Sequence, residues 1–79
     1  MDQNAIDVAE RAILFYLERY PAGADTTEGV HRWWMSGEQR PGHIDVTECA
    51  LARLRDAGRV ESVRLGGRII WRLARQAQR

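Results

Sequence analysis

Val60-Glu61-Ser62-Val63-Arg64-Leu65-Gly66-Gly67-Arg68-Ile69-Ile70-Trp71-Arg72-Leu73 decides the fold. Two strand-like runs, 60–65 and 68–73, flank a diglycine whose residues both tolerate positive φ, the requirement of a two-residue hairpin turn. That turn sets Leu65 opposite Arg68, and the other pairs follow: Arg64 with Ile69, Val63 with Ile70, Ser62 with Trp71, Glu61 with Arg72, Val60 with Leu73. The register places opposite charges at Glu61 and Arg72 and apolar pairs at Val63–Ile70 and Val60–Leu73. One face, with Val60, Ile69, Trp71 and Leu73, is expected to lie on the helices, and the other turns the Val63–Ile70 pair outward.

Upstream, the hydrophobic period changes from two to about 3.6. Asp45-Val46-Thr47-Glu48 has the form of a capping box, with Ile44 and Cys49 placed for a hydrophobic staple. It opens a helix over 46–57 whose buried face is Val46, Ala50, Leu51, Leu54 and Ala57, and Gly58 supplies the left-handed residue that ends it. Residues 36–43, with two glycines and a proline, read as a loop. Before it, Asp25-Thr26-Thr27-Glu28 is a second capping box for a helix over 26–35. Its Val30, Trp33 and Trp34 cannot all face one way, because neighbouring residues on a helix lie about 100° apart. One tryptophan anchors the core; the other covers the next loop or faces a partner. The first helix spans 4–19, with Asn4 as its cap, Asp7 favouring the dipole and Ile6, Ala9, Ile13, Leu17 and Tyr20 as its core stripe. Pro21 stops it. A further strip of Val8, Ala12 and Phe15 lies on nearly the opposite side, free to pack on the C-terminal segment or on a partner. The tail 74–79 is polar and is expected to fray.

The 79 residues make one domain, 1–79. A chain of this size buries only about 60% of its unfolded surface, which leaves no room for two lobes around a catalytic cleft. A single cysteine forms no internal disulfide, and a reducing cytoplasm is the expected compartment. No apolar run reaches the roughly 20 residues of a membrane span, and the N-terminal residues lack a signal-peptide layout. The net charge of +1 is unevenly spread. Residues 1–40 hold four arginines against seven acids, while 41–79 hold eight against four, so the C-terminal half favours a polyanion. All twelve basic residues are arginine, whose planar fork suits phosphates and guanine edges.

The stretch Thr47-Glu48-Cys49-Ala50-Leu51-Ala52-Arg53-Leu54-Arg55-Asp56-Ala57-Gly58-Arg59-Val60, with Gly66-Gly67-Arg68 and Trp71-Arg72-Leu73, resembles the winged helix-turn-helix superfamily. The resemblance covers nearly the whole chain, with 25–35 as the second helix. It implies an α+β, mainly α fold, three helices followed by a C-terminal wing, and a DNA-binding transcriptional regulator. In such domains the third helix enters the major groove and the wing holds the backbone. The resemblance puts His43, Thr47 and Arg53 in the groove-facing positions and Arg64 and Arg68 on the wing, with double-stranded DNA as the partner and a homodimer as the binding form.

A second reading is a protein-interaction module with no nucleic-acid role, because fold does not settle function. It is motivated by the outward Val63–Ile70 pair, by Val8 and Phe15, and by the acids Asp45, Glu48 and Asp56 on the third helix. No enzyme, cofactor or metal is expected. His31, His43 and Cys49 have no zinc-ligand spacing, Ser36 and Ser62 lack a nucleophile context, and no helix follows Gly66-Gly67 as a phosphate loop requires.

Overall fold

The computed structural model describes residues 2–75; of the tail 74–79 expected to fray, Ala74 and Arg75 are held by backbone amides donating to Arg59 and Glu61, and 76–79 lie outside the described residues. The elements run α1 (Gln3–Arg19), β1 (Ala24–Asp25), α2 (Thr27–Gly29), α3 (Ile44–Asp56), β2 (Val60–Leu65) and β3 (Arg68–Leu73). A π-helical turn, Val30–Trp34, extends α2, and a short 3-10 turn, Gly37–Gln39, lies between it and α3. The chain is therefore α+β and mainly helical, with an antiparallel sheet in the order β1-β3-β2. Among the described residues no helix is long and apolar enough to cross a membrane.

The hairpin forms as its sequence dictates. All six β2–β3 pairs, from Val60–Leu73 to Leu65–Arg68, occur in the expected register. Gly66 and Gly67 take φ of 54° and 84°, a region that residues with a Cβ rarely enter. Val60 and Trp71 are buried against the helices, whereas Ile69 and Leu73 on the same face overhang them and are exposed. β1 was not foreseen: Ala24 and Asp25 pair with Arg72 and Trp71, making β3 the central strand. Two residues are too few for any periodicity to announce a strand.

The helix starts differ from expectation by their caps. Asp2, not Asn4, caps α1, its carboxylate accepting from the Asn4 amide at 3.0 Å. Thr26, not Asp25, caps α2 by accepting from the Gly29 amide at 3.1 Å, because Asp25 is held in β1. Glu28 does not reach back to that cap but pairs with Arg32. His43, not Asp45, caps α3, which starts at Ile44 and so takes that residue into the helix. The C-terminus of α3 follows expectation, with Gly58 at φ 76°. The Gly58 amide donates to Arg55 and the Arg59 amide to Leu54, the paired bonds of a Schellman ending.

The core joins Ile6, Ala9, Ala12, Ile13 and Leu17 of α1 to Val30, Trp34 and Met35, to Ala50, Leu51 and Leu54 of α3, and to Val60 and Trp71 of the sheet. Each large apolar side chain so buried contributes about 1.5–3 kcal/mol before entropy is charged against it. Tyr20 and Ala57, expected in the core, are exposed at the ends of their helices, and Val46 is half-buried. Trp34 is the inward tryptophan, stacked on Tyr16 with ring centroids 4.6 Å apart. Trp33 is 74% exposed. Trp71 ties the sheet to α2, its Nε1 donating to Thr27 Oγ1 at 2.8 Å.

Candidate nucleic-acid interface

The five expected contact residues separate into a wing pair and a dispersed helix set. Arg64 and Arg68 are exposed and flank the diglycine on opposite faces of the ribbon, since Arg68 shares a face with its partner Leu65, and Leu65 points away from its neighbour Arg64. Residues 64–69 are all exposed, Arg64 and Ile69 on the helix-facing side included, so the hairpin tip stands clear of the helices. Among the described residues neither arginine makes an ion pair. The hairpin's one acid, Glu61, lies at the far end and is taken by Arg72 at 2.7 Å. That hydrogen bond, together with the Arg75 amide, holds the Glu61 carboxyl below its usual pKa.

The helix set does not present a common face. Thr47 is wholly buried, with Oγ1 2.7 Å from His31 Nδ1. It stands on the same helical stripe as Ala50, Leu51 and Leu54, so its hydroxyl serves the interior and is not offered to a base edge. Arg53 is turned to α1, where Nε lies 2.8 Å from Glu10 Oε2 and a terminal nitrogen 3.8 Å from Asp7. Its charge is thereby offset within the chain. His43 is exposed at the start of α3, but its Nδ1 accepts from the Asp45 amide at 3.2 Å. Only the opposite ring edge remains for a ligand.

What α3 does expose is largely acidic. Asp45, Glu48 and Asp56 are all exposed, and half-buried Cys49 and Ala52 lie on the same side. Arg55 is paired with Asp56 at 3.4 Å and lies over the Trp71 ring. Carboxylates on that strip oppose close approach to a phosphate backbone.

Arg40 has a structural role that no sequence motif marks. Its guanidinium donates to the carbonyls of His31 and Arg32 in the π turn and of Met35 just beyond it, closing the end of that turn. His31, between Arg40 and Thr47, has its pKa lowered by burial first and then by the charges of Arg40, Arg32 and His43. Nothing in the local sequence signals this convergence, because residues 31, 40 and 47 meet only once the connection between α2 and α3 has folded.

Of the expected protein-interface residues, Phe15 is 56% exposed while Val8 is half-buried. Phe15 lines an open groove of about 530 Å³ with Arg11, Leu14, Glu18, Arg59 and Leu73. Val63 and Ile70 are half-buried on the outer sheet face, beside the Glu61–Arg72 pair. Among the described residues no cluster of three or more His, Cys, Asp or Glu is placed to hold a metal ion. Comparison with family models, curated proteins and solved structures returns no match for this chain.

Proposed function

We propose that this is a winged-helix domain that binds double-stranded DNA, as a transcriptional regulator would, and that it does so through its wing. The observation that carries the reading is the exposed hairpin tip, residues 64–69, which holds Arg64 and Arg68 with no carboxylate among them. Three helices in sequence, closed by a hairpin packed back on them, support the same reading. The two guanidiniums neutralise phosphates on either side of the ribbon and release condensed counterions. Phosphate contacts position a protein without reading sequence. With Thr47 internal, Arg53 engaged by α1 and α3 acidic outside, binding is expected to show weak sequence preference.

The test is a fluorescence-anisotropy titration of a mixed-sequence duplex over a range of salt. Binding at low salt that weakens steeply as salt rises supports the reading. No binding at low salt ends it. A protein-interaction module is the second reading, and the acidic strip of Asp45, Glu48 and Asp56 is the observation that favours it.

A further inference from the structure

The exposed face of α1 carries a pattern that is complementary to itself. Leu14, half-buried at the edge of the core, and Phe15, largely exposed beside the Arg19 guanidinium, form its apolar centre. Arg11 lies before this centre and Glu18 beyond it, and all four line the same groove. Seven residues are almost two full helical turns, so Arg11 and Glu18 stand on one line along the helix, about 10 Å apart. That separation keeps them from pairing with each other, and among the described residues neither makes an ion pair.

We infer that this face docks a second copy of the chain, with the two α1 helices antiparallel across a two-fold axis that passes between Leu14 and Phe15. The axis brings Leu14 of one copy onto Phe15 of the other. It also sets Arg11 opposite Glu18 twice, once on each side of the axis. An isologous interface demands this kind of self-complementarity, in which residue i meets j and j meets i. A parallel arrangement would instead place Arg11 on Arg11 and Glu18 on Glu18, so the charges select the antiparallel one. Leu73 and Arg59 at the groove's other wall extend the contact toward the sheet. The inference stands apart from DNA binding, since the wing's tip, residues 64–69, lies at the opposite end of the hairpin from Leu73.

Sedimentation equilibrium from micromolar to millimolar protein tests it, with three charge variants of the full chain. The wild type is expected to dimerise reversibly. Arg11→Glu and Glu18→Arg each turn both ion pairs into like-charge contacts and are expected to weaken self-association roughly tenfold. The double variant Arg11→Glu/Glu18→Arg restores both pairs and the affinity. Mixing the two single variants restores association as well, because each then supplies the charge that the other lacks. All these positions are exposed, and thermal melts will show the fold retained. A wild type that stays monomeric at millimolar concentration overturns the inference, as do single variants that dimerise like the wild type or a mixture that gains nothing.

Discussion

Arg53 Nε lies 2.8 Å from Glu10 Oε2, a buried oxygen, yet the N–H does not point along that line, so the contact is an ion pair and not a hydrogen bond. This pair fixes α3 against α1 and keeps the guanidinium away from the outer side of α3. Arg53→Ala is therefore expected to lower stability by roughly 1–2 kcal/mol, because a buried carboxylate oxygen loses its counter-charge. Duplex affinity should remain within twofold. Urea denaturation and an anisotropy titration of the same variant check both halves, and a marked loss of affinity at unchanged stability would place Arg53 at the interface after all.

His31 and Thr47 link the π turn to the first turn of α3. The fold lowers the His31 pKa, through burial first and then the charges of Arg40, Arg32 and His43, while in the unfolded chain it takes up a proton near its ordinary pKa of 6.5. Stability is therefore full above that pH, falls as the pH drops below it, and levels off once the folded imidazole is protonated too. Glu61, with its pKa lowered by Arg72, adds stability above the ordinary carboxylate range that is lost at still lower pH. Melting temperature against pH should fall in two stages. His31→Asn should flatten the upper stage and Glu61→Gln the lower, and a flat wild-type profile would contradict both assignments.

Thr47→Val tests the burial of the hydroxyl directly. The substitution keeps the side chain's shape and leaves His31 Nδ1 without its partner, for an expected loss of about 1–3 kcal/mol. DNA binding should be unaffected. A variant as stable as the wild type that binds DNA less tightly would return Thr47 to the contact surface.

Trp71 is the residue on which sheet and helices meet, and Trp71→Ala is expected to remove about 3–5 kcal/mol, enough to leave a domain this small largely unfolded. Thr27→Val isolates the hydrogen bond from the packing and should remove about 1 kcal/mol. Chemical denaturation followed by circular dichroism measures both.

The hairpin was legible in the sequence down to its register, because a diglycine turn and a period-two pattern act on neighbouring residues. The end of α3 was legible for the same reason, since Gly58 stops the helix through local geometry. Cap identity was less so: Asp2 and Asn4, or Asp25 and Thr26, are chemically interchangeable caps, and tertiary pairing chose between them. The candidate site suffered most. Thr47 shares a helical stripe with Leu51 and Leu54, a sign that it belonged to the interior, but a threonine near a helix start reads as readily as a surface residue. For Arg53 no local sign exists, because Asp7 and Glu10 lie some forty residues away and only the packing of α1 on α3 brings them close.

The most direct test of wing-led DNA binding compares the salt dependence of duplex affinity for the wild type and for Arg64→Ala/Arg68→Ala. Each phosphate contact contributes about 0.9 to the slope of log affinity against log salt. Removal of both arginines is expected to reduce that slope by about 2 and to weaken binding to every duplex alike, with the melting temperature unchanged. A double variant that binds with the wild-type slope and affinity would contradict a role for the wing.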